Sequence, residues 1–288
     1  MSHPVRCAVL GTPVAHSLSP VLHRAAYAAL GLDWEYDARE LAAADLPAFL
    51  DGLDATWRGL SLTMPLKRTV VPLLDAMSDR ARQALAANTV VLDGGRRTGH
   101  NTDVPGAAAA VRERYDGPLR HAVVLGGGAT ASSTLLGLAD LGCRTFTLVV
   151  REPARAAETV ATAARHPAAP AVEVLTLGEP TPDADVLIST IPAHAQGPAV
   201  LTAASRVPVV FDVLYDPWPT PLARLATETG RTLVAGLDLL VHQAVLQVEL
   251  MTGAPRAPLE VMRRAGQRAL ADRSTGLRDL ASDGSADH

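Results

Sequence analysis

The sequence predicts an α/β protein of two domains. An N-terminal mixed α/β domain precedes a Rossmann-like, doubly wound parallel sheet, and a C-terminal helix returns to the first domain. Three observations predict it. Short apolar runs alternate with helix-length segments from Val5 onward, the order that builds mostly parallel sheets. Val123-Val124-Leu125-Gly126-Gly127-Gly128-Ala129-Thr130-Ala131 reads as strand, glycine turn and helix, with Gly126, Gly128 and Ala131 at G-x-G-x-x-G/A positions. The chain of 288 residues is also long enough for two cores.

Each element has its own reason. Val5–Leu10 is a nearly continuous apolar run closed by Gly11, the pattern of a buried strand. Ser19-Pro20 opens a helix, with serine at the N-cap and proline at the first helical position. Gly31 ends it where helices favour a left-handed residue. Trp34–Tyr36 follows as a strand, Leu46–Leu53 as a helix and Leu60–Thr63 as a third strand. Val90–Leu92 turns at Asp93-Gly94-Gly95 as a hairpin does. From about Val104 a helix leads into the second series. Its parts are strand Ala122–Leu125, helix Ala131–Leu141 closed by Gly142, and strands Phe146–Val150, Asp185–Ser189 and Val207–Phe211. Ala161–Ala171, rich in alanine and proline, reads as a surface loop. Leu237–Met251 is long, apolar on one face and follows Gly236, so it is expected to cross back to the first domain. Residues after about Asp272 are polar, small and aperiodic, and read as a disordered tail. The expected divisions are 1–103, 104–235, returning helices over 236–271 and a tail over 272–288.

Composition excludes several classes of function. A formal charge of −4 and the lack of a basic run argue against nucleic acid as a partner. Cys7 and Cys143 lie far apart in apolar stretches without metal or redox spacing, and read as reduced core thiols. No His/Cys cluster offers a metal site. No secretory segment follows Met1, and no apolar run approaches the roughly 20 residues of a membrane helix. The expectation is a soluble, cytoplasmic protein with no membrane partner.

The residues that point to chemistry begin with Lys67, the only lysine beside 25 arginines. A position that keeps an ammonium in so arginine-rich a chain should need what a guanidinium cannot do, which is to give up a proton. In the second domain the glycines let backbone amides approach a pyrophosphate at the positive end of the following helix. The next strand ends Val149-Val150-Arg151-Glu152, with Arg155 one turn later. Arg151 and Arg155 can clamp a 2′-phosphate with charge-assisted bonds, which favours NADP. Glu152 is the residue that could instead bind a ribose hydroxyl, as NAD sites do. In the first domain, Ser17 and Ser19 stand ahead of a helix N-terminus and can offer hydroxyls and amides to a carboxylate. Asn88 and Asp103, at strand or hairpin ends and facing the lysine, suit a small polyhydroxylated molecule.

Taken together, these segments resemble the shikimate dehydrogenase family, in register from Val5 to about Met251. Gly11–Pro20 is similar to its G-x-P-x-x-H-S-x-S-P signature. Ser61–Lys67 is similar to its N-V-T-x-P-x-K segment, with Ser61 and Leu62 replacing asparagine and valine. Ala87-Asn88-Thr89 and Asn101-Thr102-Asp103 match its two asparagine-threonine motifs. Asp212–Pro217 with Thr220-Pro221-Leu222 looks like its D-x-x-Y-x-P-x-x-T-P-L run. Gly236–Gln247 matches its G-x-x-M-L-x-x-Q-A helix, with Leu239 in the methionine's place. Where many NADP-dependent members read N-R-T, Val150-Arg151-Glu152 keeps only the arginine.

The resemblance implies reversible reduction of 3-dehydroshikimate to shikimate with NADPH. It implies that Ser17, Ser19 and Tyr215 hold the substrate carboxylate, that Thr63, Asn88 and Gln243 line the ring, and that Lys67 and Asp103 stand at the reacting end. Cofactor contacts are expected from Gly126, Gly127, Gly128, Ala129, Arg151, Arg155, Thr190 and Gly236. His16 and His23 read as packing or helix-start residues. A quinate or aminoshikimate dehydrogenase using NAD, and a non-catalytic nucleotide-sensing relative, stand as alternatives. The chain is expected to act as a monomer or homodimer.

Overall fold

The computed structural model describes residues 4–283. Among them the chain builds two six-stranded sheets, one from strands before residue 101 and one from strands after residue 120. The first contains β1 (Val5–Gly11), α1 (Ser19–Ala29), β2 (Trp34–Glu40), α2 (Leu46–Asp51), β3 (Trp57–Leu62), α3 (Leu66–Thr69), β4 (Ala76–Met77), α4 (Asp79–Ala84), β5 (Thr89–Asp93) and β6 (Arg96–His100). Its order is β2-β1-β3-β5-β6-β4. β1 lies parallel to both β2 and β3, and its apolar run from Cys7 to Gly11 is buried. β5 and β6 form an antiparallel hairpin through Gly94 and Gly95, both at positive φ, and β5 also runs antiparallel to β3. This half of the sheet is therefore mixed. Its register sets Ser61 of β3 beside Thr89 and Thr89 beside His100, so three strand ends converge at one place.

α5 (Asp103–Arg114) leads to β7 (His121–Leu125), α6 (Ala129–Asp140), β8 (Thr145–Val150), α7 (Ala157–Arg165), β9 (Ala171–Thr176), β10 (Val186–Ser189), α8 (Pro198–Ala204), β11 (Val209–Asp212), α9 (Pro221–Glu228) and β12 (Thr232–Ala235). Every pairing is parallel, in the order β12-β11-β10-β7-β8-β9. The central strands are nearly continuous apolar runs because helices cover both faces. The winding reverses between β7 and β10, which opens a crevice at their C-terminal ends.

α10 (Gly236–Thr252) starts where β12 stops and joins the two cores. Leu239 packs with the second sheet, whereas Val241, Ala244, Val248 and Met251 pack with Cys7, Val9, Tyr27 and Tyr36 of the first. α11 (Leu259–Asp283) then lies across α1 and α10. Arg263 of α11 donates to Asp238 of α10 at 2.8 Å and to Glu113 of α5 at 2.7 Å, and Arg114 reaches the same Asp238 at 2.7 Å. Three helices are thus tied by one ionic cluster.

The structure departs from the sequence expectation in three places. Ser19 is the first residue of α1, not its cap. Its amide instead donates to Ser17 Oγ at 3.2 Å. Ala161–Ala171 is not a loop throughout, since α7 runs to Arg165 and β9 begins at Ala171. Alanine is the strongest helix former, and Thr159, Thr162 and Ala163 give the segment a buried face. The expected tail is helical as far as Asp283, in a stretch that no proline interrupts, while residues 284–288 lie outside the described residues. Among the described residues no helix is long and apolar enough to cross a membrane.

Gly236 holds the junction between β12 and α10 under a tight backbone. A Cβ there would lie 2.4 Å from the carbonyl oxygens of both Val213 and Leu214. Gly236→Ala is therefore expected to lower the unfolding free energy by about 1–3 kcal/mol in urea denaturation. An unchanged midpoint would mean that the strand-following loop gives way freely.

Candidate active site

Two cavities open where the sheets face one another. The smaller, about 170 Å³, is lined by Ser17, Ser19, Thr63, Lys67, Asn88, Asp103, Tyr215 and Gln243. All the residues expected at a substrate therefore share one cavity, although they come from α1, α3, α5, α10 and four connecting segments. The larger, about 510 Å³, is lined by Gly126, Gly127, Gly128, Ala129, Arg151, Arg155 and Thr190. Gly236, expected at the cofactor, faces the smaller cavity instead. Thr63, Lys67 and Thr130 line both, so the cavities meet beside the lysine.

Local structure explains how Lys67 is held. Leu66 N donates to Thr63 O, which starts the short helix α3, and the Lys67 carbonyl accepts from Ala87 N at 2.8 Å. Lys67 Nζ donates to Asp103 Oδ2 at 2.6 Å, with side chains 14% and 7% exposed. Asp103 occupies the first turn of α5, where a carboxylate is favoured by the helix dipole. Its other oxygen, Oδ1, accepts from Asn88 Nδ2 at 2.9 Å. Asn101 Oδ1 meanwhile accepts from Val104 N, and its amide group donates to Ala86 O and to Ser133 of α6.

At the α1 end of the small cavity, the hydroxyls of Ser17, Ser19 and Tyr215 gather. Burial raises the Tyr215 hydroxyl above the usual phenol range, against hydrogen bonds to the Leu18 backbone and Ser17 that lower it, so the group remains a donor. Hydroxyls and a neutral phenol at the positive end of a helix together suit a carboxylate. His23 is fully buried behind this end. Burial brings its pKa down to about 4, against a raising contact with the Ser19 carbonyl. Stacked on Tyr36 at 3.9 Å, it is a packing residue.

The larger cavity has the features of a dinucleotide site. Gly126 has φ +105°, and a Cβ on it would lie 2.4 Å from Thr190 Oγ1. A Cβ on Gly127 would lie 2.2 Å from the Arg155 carbonyl, while Gly128 faces open space. A backbone this bare lets phosphate oxygens reach amides at the start of α6. Thr190 binds the turn from β10, donating to Leu125 O at 2.8 Å. Arg151 and Arg155 stand on the cavity wall, whereas Glu152 does not line it and lies 3.9 Å from Arg155.

Sequence reasoning missed several lining residues. Ser61 and Gln247 face the small cavity. Gln247 follows Gln243 by one helical turn, so the i, i+4 spacing carried a usable sign. Thr130, Met64 and His194 became recognisable only when the sheets were brought together. Arg68 also crosses between the sheets, pairing with Glu158 of α7 and donating to Ser132 of α6 at 3.2 Å.

Comparison with known proteins agrees with this geometry. Residues 9–90 match the shikimate dehydrogenase substrate-binding domain, and residues 236–265 match the shikimate 5′-dehydrogenase C-terminal domain. The chain is 35% identical over 269 residues to a shikimate dehydrogenase (NADP(+)) of Desulfitobacterium hafniense, covering 92% of this chain and 98% of that one. The crystal structure of Mycobacterium tuberculosis shikimate dehydrogenase superposes with a TM-score of 0.83 at 41% identity, over 92% of this chain and 100% of that one. The Thermus thermophilus enzyme, solved with NADP(H) and shikimate, gives 0.77 at 31% identity, over 92% and 99%.

Asn88 is 1% exposed and serves Thr102 N as well as Asp103. Asn88→Ala would leave a buried amide and a carboxylate oxygen unsatisfied. A loss of about 1–3 kcal/mol in unfolding free energy is expected in a denaturant titration. A loss near zero would mean that the cluster readily re-pairs without it.

Proposed function

The chain belongs to the shikimate dehydrogenase family, and from that premise we propose how its own residues carry the reaction. The activity is reversible reduction of 3-dehydroshikimate to shikimate with NADPH, a step of aromatic amino-acid biosynthesis. The observation that best supports a role for Lys67 is that it lines both cavities at once. Residues 1–103 form the substrate domain in this reading, 104–235 the nucleotide domain, and the helices from 236 pack back. We also assign the protein to the cytoplasm, as a monomer or homodimer.

The glycine turn Gly126–Ala129 would hold the pyrophosphate, Arg151 and Arg155 the 2′-phosphate, and Thr190 the far wall. NADPH, when bound, supplies the hydride for the ring ketone. The chain supplies the rest. Ser17, Ser19 and Tyr215 hold the carboxylate, and Thr63, Asn88 and Gln243 border the ring. Lys67 carries a proton on Nζ and gives it to the ketone oxygen as that oxygen gains charge, taking it back in the reverse direction. Both Asp103 oxygens accept hydrogen bonds, from Asn88 and from Lys67. A carboxylate so placed acts as the anion that aims the ammonium, so Lys67 is the group that moves the proton.

Two substitutions test the assignment. Lys67→Arg keeps the charge but does not readily release a proton. Its turnover number should fall by about two to four decades while NADPH binding, followed by fluorescence, persists. Retention of more than about a tenth of wild-type turnover would show that charge alone suffices. Arg151→Ala should raise KM for NADP by about one to two decades and leave that for NAD nearly unchanged. Equal weakening of both would assign the arginine a structural role.

A further inference from the structure

The side chains under the small cavity form one hydrogen-bonded chain, and two backbone groups fix its direction. Gln247 Nε2 donates to the Asn88 carbonyl at 3.1 Å, and a carbonyl can only accept. Gln247 must therefore turn Oε1 toward Ser61, whose hydroxyl donates to it at 2.8 Å. With its proton committed, Ser61 Oγ accepts from the Tyr36 hydroxyl at 2.6 Å. At the other end Thr102 N, which can only donate, gives to Asn88 Oδ1 at 2.8 Å. Asn88 Nδ2 is then left to donate, to Asp103 Oδ1 at 2.9 Å and to Gln243 Oε1 at 3.1 Å. Thr89 closes the chain, accepting from Gln247 Nε2 at 3.0 Å and donating to Asn88 Oδ1 at 3.0 Å. Tyr36, Ser61, Asn88, Thr89 and Gln247 are all 3% exposed or less.

We propose that Gln247 is a positioning residue that sets the hydrogen-bond polarity of the substrate cavity. By taking the Ser61 proton it makes Ser61 an acceptor only, and through Thr89 and Asn88 it steadies Asp103 against Lys67. Ser61 Oγ has one lone pair left after Tyr36, and the residue lines the cavity. That wall can welcome a ligand hydroxyl, which donates, but offers nothing to a carboxylate or carbonyl oxygen. The hydroxyl donors Ser17, Ser19 and Tyr215 line the same cavity, with Ser19 beside the Tyr36 hydroxyl from which Ser61 accepts. A carboxylate is therefore left to the hydroxyl donors at the start of α1, while Ser61 beside them is reserved for a ligand hydroxyl. This inference rests on the cavity being the substrate site of the proposed reaction.

The test compares wild type, Gln247→Leu and Gln247→Glu in the full chain, with shikimate and NADP across pH. Gln247→Leu frees the Ser61 proton and should raise KM for shikimate by about three- to tenfold at every pH, leaving KM for NADP within twofold. Gln247→Glu is nearly isosteric. When protonated it can still donate to the Asn88 carbonyl and accept from Ser61, and when ionised it cannot donate. Its KM for shikimate should therefore lie near wild type on the acid side and climb as pH rises, a profile absent from wild type. Wild-type KM values in both variants would overturn the inference, as would a pH-independent loss of turnover shared by both. If Gln247→Leu fails to fold, the pH profile of Gln247→Glu decides alone. Failure of wild type to oxidise shikimate would instead remove the proposed function itself.

Discussion

The contact between Lys67 and Asp103 is the constraint around which the rest of the site is arranged. Two opposite charges, largely out of water, recover their lost hydration only if the remaining donors and acceptors are satisfied as well. Each partner is accordingly held from several sides. The Lys67 backbone is tied to Ala87, Asp103 sits on the first turn of α5, and Asn88 takes the carboxylate's second oxygen. Those tethers need the ends of β3, β5 and β6 to meet, which explains why an otherwise parallel sheet turns antiparallel there. A buried ion pair is seldom the most stabilising way to fill such a place. Its retention makes chemical sense where a proton has to be delivered.

The other charges in the chain do different work. Arg263, Arg114 and Asp238 are fixed within the three-helix junction, where guanidinium forks can satisfy more than one carboxylate. Contacts between the two sheets include Arg68 with Glu158 and Arg80 with Asp140. Their side chains are 29%, 67%, 40% and 24% exposed, so each pair is worth little in water and costs little to break. The halves are held together by the crossings through α5 and α10, by the buried cluster of Ala84, Ala86, Val104 and Leu136, and by Asn101 with Ser133. That arrangement suits a cleft in which nucleotide and substrate enter from different cavities and meet at a single ammonium.

Much of this was legible in the sequence because the responsible features are local. The turn Gly126–Ala129 announces itself by glycine spacing between a strand and a helix, and Lys67 by its isolation among arginines. Gly11–Pro20 and Asn101–Asp103 are contiguous motifs, and the structure draws them to one cavity. What escaped depends on partners distant in the chain. Ser61 and Gln247 are 186 residues apart, and neither looks functional until α10 lies over β3. Sequence alone does not show why residue 236 is a glycine, whose smallness is demanded by the carbonyls of Val213 and Leu214. α7 was hidden because alanine and proline suggest a loop, whereas its buried threonines show their face only against α6 and β9.

The same distinction bears on which residue moves the proton. Composition singled out Lys67, but composition alone leaves Asp103 as an equal candidate. The deciding feature is direction in the hydrogen-bond chain, which starts from groups that have no choice: a backbone N–H at Thr102 and a backbone carbonyl at Asn88. Once those are fixed, the Asn88 and Gln247 amides each have one orientation, and Asp103 Oδ1 is left accepting while Oδ2 faces Lys67 Nζ at 2.6 Å. A proton on Oδ1 would be set against Asn88 Nδ2, and a proton on Oδ2 would require Lys67 to give up its own charge. The lysine faces no such conflict, because it spends one of its three protons on Asp103 and has others to offer. In the proposed mechanism, the backbone at Asn88 and Thr102 thus holds Asp103 as the partner of Lys67 and leaves proton delivery to the lysine.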